Sequence, residues 1–200
     1  MSTYDGERND AGDREGSGTM LFVSGASYSG EWRAGVREGK GTMRFAGGET
    51  YEGQWMNNQR EGRGVHTYAD GSMYDGDWRA SKRDGEGIYT FANGSQFEGS
   101  YRDGLRDGIG TFYFPNGVAQ ISRFKAGEAV REGARWSSDH DGLPSTAASR
   151  RVAWRLRDGA VDGPISLTEA AAVAQRVTVR VPQPIEPLLA AGEHALAVVI

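Results

Sequence analysis

The 200-residue sequence contains no cysteine. It therefore has no disulfide framework and no thiolate metal site, which favours a reducing compartment. The sequence also lacks an apolar run long enough to cross a membrane. Its N-terminus, MSTYDGERND, lacks the basic and apolar segments of a secretory signal. These absences predict a cytoplasmic protein of one or two domains.

Excess positive charge and a thick hydrophobic core are missing as well. The net charge of −4 argues against a nucleic-acid partner or any other general polyanion. From residue 28 to residue 114 there are 11 basic and 13 acidic residues, whereas a protein that binds a membrane surface carries clustered basic residues. The mean hydropathy of −0.59 is typical of a thin, elongated body.

Glycine, by contrast, is abundant: it accounts for 30 of the 200 residues, whereas its usual share is about 7% of residues. The glycines recur at fixed positions in a unit that Tyr51–Gly71, YEGQWMNNQREGRGVHTYADG, represents. A fixed period in this range is typical of repeat architectures. The units begin 23 residues apart, at Tyr28, Tyr51, Tyr74 and Phe97.

Odd and even positions within each unit carry different kinds of side chain. Tyr28, Gly30 and Trp32 share one parity, and the polar residues next to them share the other. Because alternate residues of a strand face opposite sides, this pattern predicts a strand with one aromatic and one polar face. The alternation resumes after a turn, through Gly39–Phe45, as in a β-hairpin. A helix does not fit, since each interior glycine would cost about 1 kcal/mol.

Stacked hairpins would align equivalent residues in columns across the sheet. We expect the paired glycines to leave room for neighbouring rings, because a Cβ there would collide with them. Aromatic pairs at such spacing contribute about 0.5–1.5 kcal/mol beyond area burial. Two columns contain Tyr28, Tyr51, Tyr74 and Phe97, and Trp32, Trp55, Trp78 and Tyr101; a third contains Phe22, Phe45, Tyr68, Phe91 and Phe114.

The predicted fold is mainly β: an elongated single-layer antiparallel sheet of stacked hairpins with a short C-terminal hairpin-plus-helix cap. The repeat array is predicted to span residues 1–133 in six units, clear at 28–117 and degenerate at both ends. Its marker is an Arg-acid-Gly tripeptide that recurs six times, from Arg14-Glu15-Gly16 to Arg131-Glu132-Gly133.

Residues 134–200 are predicted to form the cap and a proline-containing apolar tail. A loop at 137–149 precedes a hairpin that begins at Arg151. A helix at 166–178, with a capping box that starts at Ser166, is expected to cover the open end of the sheet. Its predicted apolar stripe is Leu167, Ala170, Ala171, Ala174 and Val177.

The unit Tyr-x-Gly-x-Trp-x-x-Gly-x-x-x-Gly-x-Gly, nearly intact at Tyr28–Gly41, resembles the MORN repeat (membrane occupation and recognition nexus). Asn58 and Ser81 replace its mid-turn glycine in the next two units. The resemblance implies a groove-bearing antiparallel sheet that serves as an adaptor or scaffold, as in radial-spoke head proteins of cilia and cytoskeletal scaffolds of protists. Residues 153–156 and Ile165–Ala171 resemble the tails of stand-alone MORN proteins of flagellated protists. The likeness implies a place in a cilium, flagellum, axoneme (radial spoke) or other cytoskeletal assembly.

Two surfaces are candidates for partner binding. A single-layer sheet cannot bury everything on one face, so rings left open along a groove would suit an extended or helical segment of a protein partner. The predicted groove residues are Tyr28, Trp32, Tyr51, Trp55, Tyr74, Trp78, Phe97 and Tyr101. The second surface is a row of arginines, Arg37, Arg60, Arg83 and Arg106, which either contacts an acidic partner or forms a ladder of surface ion pairs with the adjacent acids.

No catalytic constellation, metal site or cofactor motif emerges, and the protein is predicted not to be an enzyme. His66, His140 and His194 are far apart in sequence, and the Asp139–Gly142 segment lacks the further ligands that a calcium loop needs. Alternative functions are a phosphoinositide-binding adaptor at a membrane surface and a regulatory subunit of a separate enzyme. Self-association as a homodimer, through a terminal repeat or an exposed edge, is a further expectation.

Overall fold

A computed structural model describes residues 1–130, 133–138, 151–157, 160–165 and 167–178. The predicted loop at 137–149, apart from its first two residues, and the tail beyond residue 178 lie outside the described residues, as do His140 and His194. The chain divides into two compact units. Unit one is residues 1–92 and 101–104, and unit two is residues 93–100 and 105–200.

Unit one contains eight strands that lie side by side in chain order, each antiparallel to the next. Successive hairpins provide the pairing, as the alternation of side chains predicts. The strands are β1 (Thr3–Arg8), β2 (Arg14–Leu21), β3 (Ser27–Arg33), β4 (Val36–Arg44), β5 (Thr50–Met56), β6 (Gln59–Thr67), β7 (Met73–Arg79) and β8 (Lys82–Thr90).

The next strand, β9 (Gln96–Arg102), has residues in both units. In unit two the strand order is β10-β11-β13-β14-β15, and the two-residue strand β12 pairs with β11. The prediction of a mainly β protein, with antiparallel strands in one open sheet and a C-terminal hairpin and helix, is confirmed. The strands are β10 (Leu105–Tyr113), β11 (Val118–Lys125), β12 (Glu128–Ala129), β13 (Gly133–Ser138), β14 (Arg151–Arg157) and β15 (Ala160–Ile165).

A row of paired glycines crosses unit one and sets the strand register. Gly30 lies opposite Gly18 on one side and Gly41 on the other, and the same pairing recurs in the following hairpins. A Cβ added to Gly41 would overlap the Tyr28 ring, so the expectation that glycine leaves room for the rings is confirmed. The register shifts between Gly30 and Trp32, where β4 has two more residues than β3 and the ladder is interrupted as at a β-bulge.

The helix α1 (Leu167–Thr178) begins just after Ser166, which lies outside the described residues. Ala170 is buried as predicted, but Val173, which the predicted stripe omits, is completely buried. The helix contacts mainly β13 and β14 rather than the edge strand β15. Ala170 and Val173, three residues apart, therefore lie on the side of the helix that faces those strands. Nowhere in the described ranges does a helix have the length and hydropathy needed to span a bilayer.

Candidate functional site

The tyrosine column lies flat against the glycine row on one face of the sheet, which we call the aromatic face. The Tyr28 hydroxyl donates a hydrogen bond to the carbonyl oxygen of Glu31 at 3.1 Å, and the same bond recurs at Tyr51 and Tyr74. Burial raises the pKa of Tyr28 to about 12. Because the three tyrosines are 0% exposed, these rings form the floor of a core rather than of an open groove.

Each tryptophan covers two tyrosines and so joins neighbouring repeats. The Tyr28 ring meets Trp32 edge-on at 5.0 Å and Trp55 at 5.4 Å between ring centroids. The Trp55 indole N–H donates to the carbonyl oxygen of Gly41 at 3.1 Å, fourteen residues earlier in the chain. Tyr101 takes the tryptophan's place against Tyr74, at 5.1 Å.

All eight predicted groove residues therefore lie in the core, with exposed fractions of 0–5%. The expectation that these rings stay open along a groove is not what the structure shows. The rings cover one another because every tryptophan leans back over the preceding repeat. Partner binding through them remains a prediction without an accessible surface to support it.

The arginine of each Arg-acid-Gly tripeptide supports the same core. The Arg37 guanidinium lies over the Trp55 ring at 4.3 Å and donates to the carbonyl oxygen of Asn58 at 2.9 Å. Arg60 repeats both contacts with Trp78 and the next turn. Cation–π contacts of this kind contribute about 0.5–2 kcal/mol, more when they are desolvated. Burial lowers the pKa of both arginines.

The remaining members of the predicted arginine row are also occupied. Arg83 lies over Tyr101 at 5.1 Å and donates to the carbonyl oxygen of Gly104. In unit two, Arg106 lies within 5.3 Å of the Phe97, Phe112 and Phe124 ring centroids. All four arginines are only partly exposed. They hold neighbouring repeats together rather than forming a freely presented row.

The acid of the tripeptide caps the turn of the following repeat. Glu38 accepts a hydrogen bond from the backbone N–H of Asn57 at 3.1 Å, and Glu15, Glu61 and Asp84 do the same for their own next turns. In these four repeats the predicted ladder of ion pairs with the adjacent arginine is therefore wrong. The tripeptide acid Asp84 does form an ion pair, but its partner is Arg79, at 3.4 Å, and not the adjacent Arg83.

His66 is a buried polar residue within the aromatic face, at the position of Met43 in the preceding unit. Its Nδ1 atom lies 2.8 Å from the Arg60 guanidinium, so Nδ1 accepts and the proton resides on Nε2. That Nε2 atom is 3.4 Å from a Glu49 oxygen, an ion-pair distance without hydrogen-bond geometry. Burial lowers the pKa of His66, as does the charge of Arg60, and together they outweigh Glu49. The imidazole is therefore neutral at pH 7.

The opposite face of unit one carries an open groove of about 850 Å³. Its floor follows the glycine row, and its sides are two rows of polar side chains that alternate with the buried rings along each strand. The sequence pattern assigns the residues of the two polar rows to the polar face but does not identify them as a binding site. The lining residues are Asp5, Gly6, Ser17, Gly18, Thr19, Ser29, Gly30, Lys40, Gly41, Thr42, Glu52, Gly53, Gln54, Arg63, Gly64, Val65 and Asp75.

Charged side chains lie at intervals along the groove. Arg63 pairs with Asp75 at 3.3 Å, but both side chains are about half exposed or more, at 62% and 48%, so the pair contributes about 0–1 kcal/mol. Asp5 and Glu52 accept no hydrogen bond and form no ion pair with residues in the described part of the chain. Those two carboxylates are therefore available to a ligand.

The groove contains hydroxyls, carboxylates and cations but no site for metal chemistry. Across the described ranges, no three His, Asp or Glu side chains gather closely enough to hold a metal ion. The Thr19 hydroxyl donates to that of Ser29 at 3.0 Å. The groove strands pair antiparallel with their neighbours, and the backbone N–H groups of Ser17 and Lys40 donate to the Glu7 and Glu31 carboxylates, so recognition here would depend on side chains.

Comparison with known proteins agrees with the repeat geometry. A family model described as "MORN repeat" matches residues 11–27, 28–50, 51–73, 74–96 and 97–118. No curated protein matches the chain. The solved structures to which it is similar include the TCP domain of SAS-4 (dCPAP) from Drosophila melanogaster, in complex with a proline-rich motif of Ana2 (dSTIL), at 17% identity. That match covers 75% of this chain and 82% of the other, with a TM-score of 0.42.

The matched segments begin at Tyr28, Tyr51, Tyr74 and Phe97, where the sequence period places the repeats. The hairpin of β1 and β2 carries Tyr4 against Gly18 in the same arrangement, although the first match begins at residue 11. Five consecutive matches cover more than half of the chain, and the chain belongs to the MORN repeat family.

Proposed function

We propose that this protein is a non-enzymatic scaffold that binds a protein partner in the groove of unit one. The observation that carries the proposal is that one face of the sheet is buried and the other is open. The eight aromatic residues predicted to line a groove form the core and are 0–5% exposed. The opposite face carries an open groove to which strands β1 to β7 all contribute. MORN repeats are typically modules for interaction with proteins or membranes.

The groove suits a polypeptide better than a small metabolite. It is lined by repeated hydroxyl, amide and charged groups spread over seven strands rather than by a few converging ones. A pocket for a small molecule is enclosed, mostly apolar, and fixes its ligand with a few polar groups. A partner chain would instead contact many of these side chains along the length of the groove.

The proposed setting is a cytoskeletal assembly, with a ciliary or flagellar axoneme as the specific candidate. Support for that setting comes from the resemblance of the sequence to radial-spoke and protist MORN proteins. A phosphoinositide surface is a poorer fit, because the groove contains three carboxylates against two cations and anionic headgroups require clustered basic residues.

A bulky residue in the groove tests the proposal. Ser29→Trp would fill the middle of the groove from an exposed position, and we expect it to abolish co-purification of the native partner. Ser2→Trp introduces the same side chain at an exposed position outside the groove and should leave capture unchanged. Equal capture by the wild type and Ser29→Trp, both folded by circular dichroism, would refute the proposed site.

A further inference from the structure

The groove has a definite electrostatic sign. Its lining contains the carboxylates of Asp5, Glu52 and Asp75 and the cations of Lys40 and Arg63. Three further carboxylates lie on the same side of the strands, next to the lining residues. They are Glu7, Glu31 and Asp77, which accept hydrogen bonds from the backbone N–H groups of Ser17, Lys40 and Glu86 at 3.0 Å each.

With Arg44, which lies two residues beyond Thr42 on the same face, the groove and its border hold six carboxylates against three cations. One cation, Arg63, is already shared between Asp75 at 3.3 Å and Asp77 at 3.7 Å. The groove is therefore negatively charged on balance, and Asp5 and Glu52 form no ion pair with residues in the described part of the chain.

The width of the groove selects the conformation of its occupant. Residues two apart on a strand are about 7 Å apart, and this spacing separates the two polar rows that flank the glycines. An α-helix with its side chains is about 10–12 Å across, whereas an extended chain fits. Seven strands at about 4.8 Å spacing make the groove about 29 Å long, which matches about nine extended residues at 3.3 Å each.

We infer that the groove binds a basic, extended segment of about nine residues from a partner protein, with lysine or arginine side chains directed at Asp5 and Glu52. This inference rests on the proposed function and specifies its partner class. Lys40, which forms no ion pair in the described part of the chain, would face a neutral or acidic residue of that segment. Hydroxyls such as those of Thr19 and Thr42 provide neutral hydrogen-bonding positions between the charges.

A defined probe tests the charge preference directly. The full chain is titrated into a fluorescein-labelled peptide of about nine residues that alternates lysine with serine, at about 0.15 M salt, and compared with a glutamate–serine peptide of equal length. We expect the basic peptide to bind and the acidic peptide to bind at least about tenfold more weakly. Absent binding of the basic peptide, or equal binding of both, would overturn the inference.

Charge-reversal variants locate the site. Glu52→Lys and Asp5→Lys should each weaken binding of the basic peptide about tenfold, because each replaces an attraction with a repulsion. Glu128→Lys makes the same charge change at an exposed position on β12, outside the groove, and should change binding less than about twofold. An equal effect of Glu128→Lys would mean that net charge, rather than the groove, governs binding.

Native-partner capture separates this inference from the proposed function. If Ser29→Trp abolishes capture but Glu52→Lys leaves it unchanged, the groove binds a protein without the charge preference. The inference then fails and the proposed function stands. If Ser29→Trp has no effect, the proposed function fails, and with it the assignment of a basic partner segment to the groove.

Discussion

Replacing Gly64 with alanine should destabilise the protein strongly although it adds one methyl group. Gly64 has ordinary backbone torsions, so backbone strain is not the cause. A Cβ there would stand 2.6 Å from Cζ of Tyr51, whereas ordinary van der Waals contact begins at 3.4 Å. The Tyr51 ring cannot retreat because it is 0% exposed and packs against Trp55 and Trp78 at 5.1 and 5.3 Å.

The size of the effect follows from what the ring must give up. Overpacking a filled core costs about 1–3 kcal/mol. Displacing the ring also breaks the hydrogen bond from the Tyr51 hydroxyl to the carbonyl oxygen of Gln54, which is 3.0 Å long and contributes about 1 kcal/mol. We therefore expect Gly64→Ala to lower the free energy of unfolding by about 2–4 kcal/mol.

Urea denaturation followed by tryptophan fluorescence measures this loss. Gly47→Ala is the matched control, because no atom lies within 4 Å of the added Cβ and its φ is not left-handed. The control should change the unfolding free energy by no more than about 0.5 kcal/mol. If Gly64→Ala were as mild as Gly47→Ala, the account of glycine as space reserved for the tyrosine ring would be wrong.

Two further stability predictions concern the charged residues of the aromatic face. Arg37→Lys should lower the unfolding free energy by about 1–2 kcal/mol, because lysine cannot both stack on the indole and reach the next turn; Arg33→Lys, at an exposed position, should cost less than about 0.5 kcal/mol. His66 has a folded-state pKa below its ordinary 6.5, so its contribution is complete above pH 6.5 and is lost as pH falls below it. The urea midpoint should therefore drop more between pH 7.5 and pH 5 for the wild type than for His66→Met, and equal drops would contradict the assigned neutral imidazole.

The helix shows a limit of periodicity as evidence. Its existence and position follow from the alanine-rich run, and α1 does span Leu167–Thr178. The helical period allows several overlapping apolar stripes in such a run, because alanine and valine occur at many phases. Contact with β13 and β14 selects the stripe that contains Ala170 and Val173, both buried. No local pattern shows that Val173 belongs to the buried side.

The Arg-acid-Gly tripeptide shows a second limit. The sequence displays arginine beside an acid, which favours a local ion pair. In the folded chain Arg37 instead reaches Asn58, twenty-one residues away, and Glu38 caps the turn at Asn57, nineteen residues away. Stacking of consecutive repeats brings those groups together, and a hydrogen bond between a charged side chain and a backbone group contributes more than an exposed ion pair does.

The sequence by itself determined the repeat length, the strands, the glycine register and the sorting of side chains into two faces, because all of these follow from alternation along a strand and from a fixed period. Only the tertiary structure decided which face remains accessible. Rings such as Tyr28 and Trp55 come from different repeats and bury each other, so the face richest in aromatics is closed. Burial depends on the neighbours that stacking brings into contact, and no single strand's pattern specifies them.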